Sequence, residues 1–528
     1  MTAPLRYYVT TPIYYVNDAP HIGHAYTTLA CDALARFMRL DGCQVRFLTG
    51  TDEHGQKVAQ AAAASGMDPQ ALTDKVSENF RDLCGLMNYS NDDFIRTTEP
   101  RHIKACQALW QRLVESGDLY LGRFSGWYAV RDEAFYDESE LIDGNAPTGA
   151  AVEWLEEENY FFRLSAWQDR LLKFYEANPA FIAPRTRRNE VVSFVSGGLK
   201  DLSVSRTSFT WGIPVPGDPK HVMYVWIDAL TNYIAALGYP DPAAPDYKTF
   251  WPADLHMVGK DIIRFHCVYW PAFLMAAGVE PPRRVFAHGW WTNEGQKMSK
   301  SLGNFIVPSD LVNRFGRDPV RYFLLRELPF GADGNFSHAA LIRRINTDLA
   351  NDLGNLVQRV LTQVNRNCEG RLPTPGALND SDRTLLDAAG GLLARLQAEY
   401  REQAFHRALE AEWEVVGAAN RYVDEQAPWA LRKTDPERMA TVLWVLAETI
   451  RHLAVLVQPI MPESAARILD QLGVPEDRRS FAVLTPAHAL VPGTVLPKPE
   501  GVFPRYVEAG EEPKSAEVKT KAKGKGAG

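Results

Sequence analysis

Arg6-Tyr7-Tyr8-Val9-Thr10-Thr11, then His21-Ile22-Gly23-His24 opening a run to Leu40, then Gln44-Val45-Arg46-Phe47-Leu48-Thr49-Gly50: the reading of residues 6–50 decides the fold class. The first piece is rich in β-formers and stops at Pro12, so it reads as a strand. From Ile22 to Leu40 apolar residues recur at helical spacing, and Gly42 ends the run. The third piece is again a strand, followed by the polar turn Thr51-Asp52-Glu53-His54-Gly55 and a further helix. Strand, helix, strand, helix predicts a doubly wound parallel sheet of the α/β class.

Outward from there the pattern changes twice. Residues 119–219 carry short β-like pieces such as Gly126-Trp127-Tyr128-Ala129-Val130 and read as a connective insertion. The α/β pattern resumes at Met223–Asp228, at His256–Gly259 and at Arg284–Gly289. After about Asn346 the chain is almost wholly helical, with amphipathic runs at Arg383–Tyr400, Glu402–Val423 and Glu437–Val457, which predicts a bundle. The expected division is 1–118 and 220–345 for the two halves of the sheet domain, 119–219 for the insertion and 346–490 for the helical domain. Residues 491–528 form a C-terminal extension. Its end is expected to be disordered, with four lysines and no acid from Val518 on.

A chain of 528 residues with net charge −8 and 46% hydrophobic content is a multi-domain globular protein, too acidic to coat nucleic acid by bulk charge. No apolar run of about 20 residues is evident, so no membrane span is expected, and the N-terminus lacks a signal-peptide core. The six scattered cysteines form no C-x-x-C pair. A reducing cytoplasm is therefore the expected compartment.

Two constellations carry chemistry. In His21-Ile22-Gly23-His24 a helix N-terminus offers free N–H groups, Gly23 leaves room for a nucleotide, and two histidines three apart share a face. In Lys297-Met298-Ser299-Lys300-Ser301, between Gly295 and Gly303, two lysines supply charge for a polyphosphate. Either alone is an ordinary helix cap or surface turn. Together, each after a strand of one α/β domain, they resemble the HIGH and KMSKS signatures of class I aminoacyl-tRNA synthetases. Four further stretches resemble the methionine-specific branch of that family: Pro12–Asn17, Gly50–Gly55, Tyr224–Ala229 and Gly259–His266.

The resemblance implies a Rossmann-like catalytic domain that joins methionine to ATP as methionyl-adenylate and then charges tRNA(Met). His21, His24, Lys297 and Lys300 would act on the phosphates. Gly23, Gly259, Asp261, His288 and Gly289, with Lys300, would hold ATP, which brings Mg²⁺. Ile13, Tyr15, Asp52, Trp226, Ala229, Tyr233, Ile262, His266 and Trp270 would bind methionine, with Asp52 on the α-ammonium group. Trp226, Ala229 and Tyr233 share a helical face, and so do Ile262, His266 and Trp270. Asn355, Arg359, Pro428 and Trp429 would read the anticodon by stacking and edge contacts.

Many relatives bind zinc in cysteine knuckles of the insertion. Here the corresponding positions are Ala129, Asp132, Ala146 and Gly149, so no zinc is expected, and packing of Trp127, Tyr128 and Phe135 should hold that turn. The chain lacks the C-terminal OB-fold through which some relatives dimerise, so a monomer is expected. Rival readings fit less well. Isoleucine, valine and leucine enzymes need a larger insertion, and a cysteine enzyme needs a thiolate zinc site. A small nucleotidyltransferase or an inactive RNA-binding protein leaves the helical domain or the intact signatures unexplained.

Overall fold

This computed structural model describes residues 5–16, 19–129, 134–136, 138–293, 296–297 and 305–508, with the backbone only for residues 124, 134, 135, 155, 157, 296 and 297. Seven strands form one parallel sheet. Its order is Asp93–Arg96, Gln44–Asp52, Arg6–Thr10, Leu255–Gly259, Val285–His288, Ile182–Ala183, with Tyr14–Tyr15 also paired to Gln44–Asp52. The central strands are buried on both faces, as a sheet covered by helices on both sides requires. The first helix spans Ile22–Leu40, and Gly42 follows at φ +87, where a side chain would be strained.

The stretch 119–219 departs from the simple insertion reading. A long antiparallel ribbon, Leu119–Ala129 with Glu153–Phe162, forms a separate sheet, but Ile182–Ala183 returns to become the edge strand of the main one. Two residues carry too little pattern to reveal that pairing. Met223 ends a strand of a small three-stranded sheet, and Val225–Ala235 is a helix rather than a further strand.

From residue 345 to about 488 the described chain is mainly helical. The run read as Arg383–Tyr400 is two helices, Asp380–Gly390 and Leu392–Arg401, broken at Gly390-Gly391, where two glycines forfeit helix propensity together. Pro436–Val457 corrects the expectation that no segment is long and apolar enough to cross a membrane: it is, with mean hydropathy 1.6 over 18 of its residues. It is the central helix of the bundle, and 89% of that stretch is buried in protein. It also carries the buried Glu448–Arg451 ion pair, 2.6 Å apart.

The first helix joins the two halves. Asp32, fully buried on it, pairs with Arg321 at 2.6 Å, and Arg321 also donates to the carbonyls of Met87, Pro459 and Ile460. Five residues along, Phe37 stacks on Tyr400 of the helical part at 3.9 Å.

Candidate active site

The first constellation sits at the N-terminus of the first helix, at the carboxyl ends of the parallel strands, where α/β sheets bind ligands. His21 is the N-cap. Its Nδ1 accepts the Gly23 N–H at 3.0 Å, while His24 Nδ1 accepts the His21 N–H at 3.2 Å. The two rings stack 3.9 Å apart. With each Nδ1 accepting, the neutral tautomer carries its proton on Nε2, so each ring is a donor. Burial and the adjacent His21 push the His24 pKa well below its ordinary value. At Gly23 a Cβ would lie 2.8 Å from His21 Cε1, so the missing side chain makes room for the His21 ring.

Phe305, just past the lysine loop, stacks on His21 at 5.2 Å, and Ile306 O accepts the Ile22 N–H. The end of the loop is thereby tied to the histidine turn. Of the loop itself, the Lys297 backbone pairs with Thr292 in a short antiparallel ladder. The Lys297 side chain and Lys300 lie outside the described residues.

Beside this turn is a cavity of about 450 Å³ lined by Ile13, Tyr15, Asp52, Trp226, Ala229, Tyr233, Ile262 and His266. Eight of the nine residues assigned to methionine thus share one space, although they come from four distant segments. Trp270 does not line it. It is fully buried behind the cavity, its indole N–H donating to His256, because its place on the helix turns it inward. Lys57, Phe265 and Asp261 also face the cavity and were missed as methionine-pocket residues by sequence reasoning. Phe265 stacks on Trp226, and a π-helical turn over Phe265–Tyr269 sets the direction of His266. His266 Nδ1–H donates to Ile262 O at 3.0 Å and Nε2 accepts the Tyr233 hydroxyl at 2.6 Å. Burial takes its pKa down to about 4, so the ring is neutral at pH 7.

The residues assigned to ATP divide. Gly259 and Asp261 stand together, since a Cβ on Gly259 would lie 2.5 Å from Asp261 Oδ1, which itself accepts the Trp290 indole N–H. His288 is buried and accepts the Thr27 hydroxyl at 2.7 Å, linking its strand to the first helix. Gly289 serves packing: a Cβ would meet Ala332 O at 2.3 Å.

In the helical part Trp429 is 46% exposed, with the Arg359 guanidinium 5.5 Å from its ring centroid. Arg359 also pairs with Asp424 at 2.6 Å. Pro428 is the buried first residue of the short helix that carries Trp429, and Asn355 is exposed one turn before Arg359.

In the insertion, Ala129, Ala146 and Ala150 are buried against one another. Trp127 packs on Trp154 and Tyr128 is buried; Asp132 and the Phe135 side chain lie outside the described residues.

Comparison with known proteins gives these arrangements a family. Residues 7–153 and 139–361 match the model for tRNA synthetases class I (M), and 372–523 match the anticodon binding domain of methionyl tRNA ligase. Methionine–tRNA ligases of Mesorhizobium japonicum and Mycobacterium bovis are each 58% identical, over 95% of this chain and 98% of theirs. The chain belongs to the class I methionine–tRNA ligases. A solved Mycobacterium tuberculosis methionyl-tRNA synthetase in complex with methionyl-adenylate superposes with a TM-score of 0.93 at 57% identity, covering 95% of this chain and all of that one. As a methionine–tRNA ligase the chain couples ATP to the attachment of L-methionine to tRNA through methionyl-adenylate.

Proposed function

We propose that the cavity holds methionine, with the Asp52 carboxylate on its α-ammonium group and the aromatic walls Trp226, Tyr233 and Tyr15 around its thioether. The carrying observation is the gathering of eight sequence-assigned residues around one space of about 450 Å³. The methionine carboxylate is the nucleophile at the α-phosphorus of MgATP, so no side chain need form a bond. The neutral Nε2–H groups of His21 and His24 donate to phosphate oxygens, and Lys297 and Lys300 neutralise pyrophosphate as its P–O bond breaks. Gly259 and Asp261 flank the nucleotide, while His288 and Gly289 hold the strand end in place. Trp270 acts through His256 and Tyr233 as backing for the cavity.

At the other end Trp429 offers a face to an anticodon base, and Arg359, Asn355 and Pro428 frame it. All six cysteines are free, which suits a cytoplasmic enzyme, and the alanine-packed insertion suits a zinc-free one. The test is ATP–pyrophosphate exchange over the twenty amino acids. Exchange dependent on methionine alone supports the reading; equal exchange with leucine or cysteine overturns it. Metal analysis should find less than about one zinc per chain.

A further inference from the structure

Behind the methionine cavity lies a buried chain of side chains that the proposed mechanism does not use. His54 Nδ1–H donates to Asp228 Oδ2 at 2.7 Å, and His102 Nε2–H donates to Asp228 Oδ1 at 2.8 Å. Cys106 Sγ lies 3.2 Å from the same His102 nitrogen. His54, His102, Cys106 and Asp228 are all buried.

Each group comes from a segment that matters to the cavity. His54 is two residues past Asp52, and Asp228 lies between Trp226 and Ala229 in the first turn of Val225–Ala235. His102 and Cys106 occupy successive turns of Pro100–Glu115, which packs along that helix. An aspartate in a first turn ordinarily serves its own helix N-terminus. Here that N-terminus has no side-chain cap, and both carboxylate oxygens reach across to other elements. Trp211 braces the same turn: its indole N–H donates to Glu53 O at 2.7 Å, and its carbonyl accepts the Gly55 N–H. Burial alone would raise the Asp228 pKa; the two histidines overcome it and hold the carboxyl down at about 2.

His102, Cys106 and Asp228 have the donor types of a metal site. Their separations argue otherwise. Donors sharing a tetrahedral ion at about 2.0–2.3 Å stand roughly 3.3 Å or more apart, whereas the imidazole nitrogen and carboxylate oxygen here are at hydrogen-bond distance.

We propose that the His54–Asp228–His102 clamp is a positioning device for methionine selection: it locks the first turn that carries Trp226 and Ala229 against the strand end that carries Asp52. The proposal rests on the methionine reading of the cavity. A rotation of that turn moves the aromatic wall relative to the Asp52 carboxylate, so the clamp acts first on methionine, whereas Gly23, Gly259, His288 and Gly289, assigned to ATP, lie on other elements.

The test is steady-state pyrophosphate exchange on variants of the full chain. Asp228→Asn keeps the shape and loses the charge; its KM for methionine rises about tenfold while its KM for ATP changes by less than about twofold. His54→Leu gives the same split. His54→Asn can place an N–H where Nδ1–H stood, and it keeps the methionine KM within about threefold of wild type. Should Asp228→Asn fail to fold, the two His54 variants decide. An unchanged methionine KM in His54→Leu, or His54→Asn as impaired as His54→Leu, overturns the clamp. So does a stoichiometric bound metal that Cys106→Ser releases. If wild-type exchange does not depend on methionine, the underlying reading fails and takes the clamp with it.

Discussion

His266 in the proposed methionine cavity and Glu412 in the helical bundle are both buried and both largely uncharged at pH 7, but they arrive there differently. His266 has a partner on each ring nitrogen. Glu412 sits beside Tyr400 among apolar helices, its Oε2 has no hydrogen-bond partner among the described residues, and burial pushes its pKa up to about 8. Bonded at both nitrogens, the His266 ring keeps one orientation in the cavity wall. Glu412 has no such anchor, while the surface proposed to meet tRNA, at the exposed Trp429, lies elsewhere on the helical half. Between them stands the Asp32–Arg321 pair, which belongs to both.

The largest effect should come from breaking that junction. Arg321→Leu leaves Asp32 as a buried charge without its main partner and should cost about 3–5 kcal/mol of unfolding free energy. Chemical denaturation measures it, and loss of cooperativity between the halves would show as two transitions. A loss below about 1 kcal/mol would mean that the halves are held by apolar packing alone.

Within the cavity, Asp52→Asn should lower kcat/KM for methionine by about 2–4 kcal/mol in pyrophosphate exchange, with ATP parameters little changed. A variant with near-normal exchange would remove Asp52 from the ammonium site.

The two buried groups give opposite pH slopes. As pH falls from 6.5 toward 4 the unfolded chain protonates His266 and the folded chain does not, so stability is lost on the acid side. Between pH 4.5 and 8 the folded chain keeps the Glu412 proton that the unfolded chain has released, so stability is lost as pH rises. Each slope is at most about 1.4 kcal/mol per pH unit. Glu412→Gln should flatten the alkaline slope and leave the acid one, as read from melting temperatures between pH 5 and 8. An unaltered alkaline slope would mean that Glu412 is ionised in the fold.

The same contrast explains what could be read from the sequence. The first helix begins and ends where periodicity, Gly42 and the histidine turn place it, and eight residues that the family resemblance assigned to methionine line one cavity. These are local signals. What stayed hidden depends on distant partners: the edge strand Ile182–Ala183, the inward turn of Trp270, the buried tie of His288 to Thr27, and the His54–Asp228–His102 clamp, whose members are up to 174 residues apart. At Gly23 the group that would crowd a Cβ is the His21 ring, a contact that the letters alone do not show. The central helix Pro436–Val457 escaped as a long apolar segment because its polar residues interrupt any run of purely apolar letters.

The central claim is that the two ends are separable: the cavity chooses methionine, and the exposed face at Trp429 chooses tRNA. Measuring pyrophosphate exchange and aminoacylation on one preparation of Trp429→Ala tests it most directly. With the ring 46% exposed, its removal should leave the melting temperature and the exchange rate near wild type and cost about 1–3 kcal/mol in kcat/KM for tRNA. Exchange and charging falling together, or charging unchanged, would contradict the account.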